Sequence, residues 1–289
     1  VLHLCKRCLR VLLVFEASSS SRGEDSSDVQ GIIKIHVRSI LSSKLLSFDT
    51  LRLNVVDYRN LILTSLPKTL QTLTIFEDFN EDYNIVHCFH YITREWPFPP
   101  ELVKTPNPSI GAALAYRSVG LERLFASYMV DANDFLKACK PNWMWDKLTA
   151  LTLTSNLLPL CNPQPFAINQ MLVNAGTAAL RMPQLRKMVI WNGMKRNACA
   201  FRYQVTANST TLSWCGTWDL ELDVDVLNVW REATLRHTRH ELSVLTSRSL
   251  DKQDIGSHAA AIRELNLNEV IHPVSLEQIL RESEQYFYK

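Results

Sequence analysis

Apolar residues recur along this chain as L-x-x-L-x-L, the strand pattern of leucine-rich repeats. The hexamers are FDTLRL (Phe48, Leu51, Leu53), LQTLTI (Leu70, Leu73, Ile75) and LERLFA (Leu121, Leu124, Ala126). LTALTL (Leu148, Leu151, Leu153), LRKMVI (Leu185, Met188, Ile190) and IRELNL (Ile262, Leu265, Leu267) follow. Between them the period changes. FAINQMLVNAGTAALRM places Ile168, Met171, Leu172, Ala175 and Ala179 at helical spacing. MVDANDFLKAC opens on Asp131, a helix-capping residue, and turns Phe135 and Leu136 inward. Strand, helix, strand predicts a parallel sheet lined by helices.

Successive hexamers start 22, 51, 27, 37 and 77 residues apart, whereas a regular array steps by ~20–29. The expected fold class is therefore α/β: an irregular leucine-rich-repeat-like curved sheet, helices on one side, with insertions near 77–120 and 198–250. A non-repeat α/β domain is the alternative. The first insertion contains REWPFPPELVKTPNPSIGAAL, whose prolines predict an extended surface segment. In the second, AFRYQV and LSWCGTWDLEL alternate about the turn TANST, which predicts a β-hairpin with Trp214 and Trp218 on one buried face. A helix is expected from Asp223, with Leu227, Trp230 and Thr234 on one side, then a strand in ELSVLTS.

The 289 residues can bury a sizeable core, and 46% hydrophobic with 21% charged residues is an ordinary globular composition. A net charge of +2 gives no global electrostatic case for a nucleic-acid partner. No apolar run approaches a membrane span. KRCLRVLLVFEASS has a basic patch and a short apolar run and reads as the remnant of an upstream segment; SSSSRGEDSSD after it reads as a flexible linker. Residues 1–30 are thus expected to be an atypical segment and linker, and 31–289 the domain. Seven scattered cysteines fit a reducing, intracellular compartment, cytoplasmic or nuclear.

The richest polar stretch is FEDFNEDYN, residues 76–84. An EF-hand counted from Asp78 needs Gly at the sixth position and Glu at the twelfth, where Tyr83 and Phe89 stand. The favoured reading is a strand-end loop, the alternative an acid pair among Glu77, Asp78, Glu81 and Asp82. CKRC is half a zinc site without its second half, and His87, Cys88 and His90 in HCFH point to different faces if extended. His237 and His240 lie one helical turn apart, near a helix end where basic side chains suit the dipole. No catalytic residue, metal or cofactor is assigned.

The strings SLPKTLQTLTIFEDFNEDYN, YMVDANDFLKACKPNWMWDKLTALTLTS, ACAFRYQV, WCGTWDLEL, SHAAAIRELNL and HPVSLEQI occur in that order. Over about residues 61–282 they resemble an uncharacterised family of filamentous-fungal, F-box-like proteins. The resemblance implies a substrate-recognition region, and a ubiquitin-ligase adaptor as partner only if an F-box lies upstream, since no F-box pattern precedes Phe48. The function expected is a protein-interaction module with an unidentified protein partner, no nucleic acid and no membrane. The alternative is an enzyme with a pocket near the acidic loop 77–84. In each hexamer the residues between the apolar ones face the open side of the sheet. That nominates Phe76, Glu77, Asp78, Phe125, Lys187 and Trp191 for partner binding, with Phe76, Phe125 and Trp191 as exposed aromatic anchors.

Overall fold

The computed structural model describes residues 9–17, 31–39, 59–79, 106–158 and 164–285. Four of the six hexamers feed adjacent strands in chain order: β3 (Leu70–Asp78), β4 (Arg123–Asp131), β5 (Ala150–Thr154) and β6 (Lys187–Met194). These run parallel, and β2 (Gly31–Ser39) joins them in parallel beside β3. β1 (Leu9–Ala17), the run read as an upstream remnant, pairs antiparallel with β2. At the other end β7 (Asn197–Val205) and β8 (Thr210–Gly216) form the expected hairpin and continue the sheet. The short strands β9 (Leu242–Val244) and β10 (Arg248–Ser249) both pair with β8. The result is a mixed, open sheet of ten strands in an α/β fold. The hexamer FDTLRL lies outside the described residues, as does most of the proline-rich insertion; the described end of that insertion enters the helix Pro108–Ser118 rather than an extended segment, since Pro108 occupies the first helical position, where proline is tolerated.

Helices α1 (Pro108–Ser118), α2 (Ala132–Ala138) and α3 (Pro165–Ala179) connect β3 to β4, β4 to β5 and β5 to β6. Asn107 caps α1 by accepting from the Ser109 amide at 2.9 Å, and Asp131 caps α2, as expected. Helix α4 (Val224–His237) follows the hairpin. All four cover one face, where Leu73, Leu124, Leu151 and Met188 meet Phe135, Leu172 and Trp230. Helix α4 lies directly against α3. A Cβ on Gly176 would stand 2.5 Å from Val229, so only glycine permits this approach.

The chain then crosses to the opposite face. Helix α5 (His258–Glu264), a 3-10 turn at Asn268–Val270 and α6 (Pro273–Gln285) form a C-terminal strap over it. This corrects two expectations. The hexamer IRELNL forms no strand. Ser257 caps a helix through Ala259–Ala261, strong helix formers, and Ile262 and Leu265 fit a helical face as well as a strand. The second correction is that the sheet face opposite α1–α4 is covered. The rows expected there are in register: Thr74 pairs with Phe125, Phe125 with Thr152 and Thr152 with Val189. Yet Phe76, Phe125 and Trp191 are buried at 1%, 7% and 0% exposure beneath the strap, so they are not exposed anchors. Of the hairpin tryptophans, Trp214 is buried and Trp218 half-buried beyond the strand end, their rings 4.8 Å apart.

Candidate functional site

Two places concentrate chemistry. The first is the C-terminal edge of the parallel strands, where open α/β sheets commonly hold ligands. Asp78 ends β3, and its Oδ1 lies 3.1 Å from His258 Nε2 at the start of α5. Their side chains are 6% and 2% exposed. The imidazole lies 4.2 Å from the Phe79 ring and 6.2 Å from Phe76, with Tyr128 edge-on at 6.1 Å. A carboxylate orienting an imidazole is the geometry of a general base and its partner. Here it also ties the strap to the sheet.

Beside it β4 bulges, its pairing to β5 jumping from Ala126 to Asp131. Tyr128 sits in the bulge at φ 67°, a left-handed conformation costing a bulky residue on the order of 1 kcal/mol. Two bonds hold it. Its amide donates to Thr154 Oγ1 at 2.7 Å, and its hydroxyl donates to the Gly193 carbonyl at 2.9 Å. The bulge brings Asp131 to Asn133 and Asn156, whose amides donate to it at 2.8 and 2.6 Å. Asn192 reaches from β6 to the Ser155 carbonyl. Asn192 Oδ1, Ser127 Oγ and Trp191 Nε1 are buried without hydrogen-bond partners.

Burial pushes the Asp131 carboxyl above its ordinary 3.8, against the two amides that favour its charge. With the folded value above the unfolded one, the native state holds more protons between them. That contribution is full below the unfolded value and is lost as pH rises through the folded one. Asp131→Asn removes this titration. The melting temperature of wild type relative to Asp131→Asn should therefore fall as pH rises through and above about 4. A difference independent of pH, in melts from acid to neutral, would contradict it.

The second place is the opposite edge, where the strands begin. Here Tyr116, at the end of α1, is 60% exposed and Met144 is 46% exposed. Half-buried Trp143 lies between, its ring 5.9 Å from Tyr116 and 5.9 Å from Lys140 Nζ. Trp145 is the inward member of this W-M-W run, fully buried, its indole donating to Ser118 Oγ at 2.8 Å. Arg181 lies over the Trp145 ring and donates to the Lys140 carbonyl; Arg117 donates to the Pro67 carbonyl beside Lys68. Aromatics, methionine and arginine on an exposed surface are the composition of binding hot spots.

Of the residues nominated for partner binding, Phe76, Phe125 and Trp191 are core. Asp78 is buried against His258, and Glu77 is half-buried. Lys187 pairs with Glu269 of the strap. Phe76, Asp78 and Trp191 do converge on the C-terminal edge. Positions 80–84 and 89 lie outside the described residues, and with them the calcium-loop test. So do CKRC and HCFH. His237 bonds the Leu180 carbonyl at 2.9 Å, at the C-terminal end of α3 rather than of its own helix, and His240 lies 3.3 Å from Thr210 Oγ1. Among the described residues, burial pushes the Cys139 and Cys199 thiols up to about 12.

Sequence reasoning missed His258 and the Tyr116–Trp143–Met144 edge. The second left a signal, since three consecutive large apolar residues after the turn KPN cannot all point inward. His258 left none; its partner is 180 residues away.

No curated protein and no solved structure matches the chain. Among the described residues, no helix is long and apolar enough to cross a membrane. A family model covers residues 65–272, from just before β3 through α5 and the 3-10 turn of the strap, and the chain therefore belongs to that family, a family of unknown function (DUF6546).

Proposed function

We propose that this chain is a protein-interaction module that binds through the edge formed by Tyr116, Lys140, Trp143 and Met144. The observation that carries the proposal is the exposure of Tyr116 and Met144 around Trp143, with Lys140 over its ring, on a domain that buries most of its other aromatic residues. The reading retains the interaction role expected from the sequence and moves its surface away from the strap-covered face. Its finer form is the substrate-recognition part of an F-box-like fungal protein with a repeat-like sheet. That form draws support from the four hexamers lying in chain order on adjacent parallel strands.

The test is site-specific cross-linking in native extract. A photoreactive side chain in place of Met144 or Tyr116 should capture a defined protein, and one at exposed Thr177 should not. Tyr116→Ala with Met144→Ala should weaken that partner by about thirtyfold, the equivalent of ~2 kcal/mol, with an unchanged melt. Equal capture from Thr177, or none from either edge position, would remove the proposal.

A second reading, an enzyme acting at the C-terminal edge, is favoured by the Asp78–His258 pair. A turnover lost in His258→Gln, with folding intact, would establish it in place of the first.

A further inference from the structure

The basic, aromatic edge has a counterpart at the other end of α3. There Phe166 is 80% exposed and Val224 is 64% exposed. The loop leading into α4 carries Asp219, Glu221 and the cap residue Asp223, and the first turn of α4 carries Asp225, all exposed. Asn169, one turn on from Phe166, joins the two elements: its amide donates to the Glu221 carbonyl at 3.2 Å and its Oδ1 accepts from the Asp223 amide at 3.2 Å. This end therefore combines two exposed apolar side chains with four carboxylates. At the opposite end Tyr116 and Met144 are accompanied by Lys68, Arg117, Lys140, Lys147 and Arg181, with Asp146 among them.

Helices α3 and α4 run side by side in the same direction. Asn169 meets the start of α4, Trp230 donates to the Leu172 carbonyl midway, and His237 meets Leu180 at the far end. The two surfaces thus terminate the same helix pair, separated by the 15 residues of α3, ~22 Å at 1.5 Å per residue. Helix dipoles account for part of the charge segregation, since carboxylates suit N-termini and cations C-termini. They do not account for exposed Phe166, Val224, Tyr116 and Met144 at both poles.

We infer that the occupant of the basic edge is the acidic α3–α4 pole of a second copy of this chain. Opposite charges steer the two surfaces together and apolar residues sit within each. Because the surfaces differ and lie at opposite ends, one molecule cannot satisfy itself. The contact is head-to-tail and builds short chains or a ring rather than an isologous dimer. The inference rests on the interaction reading above and names its partner.

Charge reversal with rescue tests it, followed by sedimentation of the whole chain. Wild type should associate with rising concentration at low salt and dissociate at high salt, as the screening length falls from ~30 Å at 0.01 M to ~3 Å at 1 M. Lys68→Glu, Lys140→Glu and Lys147→Glu together make both poles acidic; Asp219→Lys, Glu221→Lys and Asp223→Lys together make both basic. Each variant alone should self-associate on the order of a hundredfold more weakly, because like charges then face each other. Mixing the two variants should restore association. Unchanged melting curves serve as the fold control. A wild type that stays monomeric at low salt, or variants that fail to rescue one another, would overturn the inference. Binding of a thymidine oligonucleotide at the basic edge of a monomeric chain would overturn it too. A monomeric chain that still captures another protein from Met144 refutes self-association and leaves the interaction reading standing, so the two failures are distinguishable.

Discussion

Trp230→Ala should lower the unfolding free energy by roughly 3–5 kcal/mol, among the largest effects of any single truncation in this domain. The side chain is fully buried on α4. Its ring packs at a tilt against Phe201 at 5.4 Å and Tyr203 at 4.7 Å, so it joins the hairpin to the helical layer. Its indole donates to the Leu172 carbonyl at 3.1 Å, and only glycine at position 176 leaves it room. Truncation opens a cavity between a sheet and two helices that are each held by other contacts, so little collapse can relieve it. Trp230→Phe keeps much of the volume and should cost less. Denaturant unfolding of both variants measures this, and a wild-type midpoint in Trp230→Ala would show that α4 is not part of the core.

Trp191→Ala should act through stability as well, by roughly 3–5 kcal/mol, and not through selective loss of a partner. Trp191 is fully buried between β6 and the strap, its ring 5.3 Å from Tyr128. Gly193, two residues on, lies so close to Ala261 that an added Cβ would stand 2.5 Å away, which shows how tightly α5 is pressed on this face. The indole N–H has no acceptor, a burden that Trp191→Phe would remove. Phenylalanine should therefore be far better tolerated than alanine. A Trp191→Ala protein that melts as wild type but loses a partner would restore the open-face recognition surface and refute the role of the strap. The same pair of measurements on Tyr116→Ala should give the reverse pattern: a normal melt and weakened binding.

The strands β3–β6, the hairpin, the caps at Asp131 and Ser257 and the core face of α3 depend on neighbours a few residues apart. Period, cap chemistry and turn residues encode them locally, and all but the Ser257 cap were legible from sequence. The pattern also carried a clue to the covered face. The outward positions Phe125, Val189 and Trp191 are themselves apolar, so β4 and β6 read as nearly continuous apolar runs, the mark of parallel strands buried on both sides. What no local pattern could supply is the identity of the cover. IRELNL fits a strand or a helix equally by period, and only packing of Ile262 and Leu265 against Val189 and Trp191 makes it the third layer. The same holds for the Asp78–His258 pair. Sequence placed an acidic cluster at the end of a strand, but its buried partner arrives from 180 residues later. The sequence by itself therefore determined the parallel strands β3–β6, the helices α2 and α3 and their inward faces, because those follow from residue periodicity. Tertiary structure alone decided which aromatics are core and which are surface, because exposure is set by contacts between segments far apart in the chain.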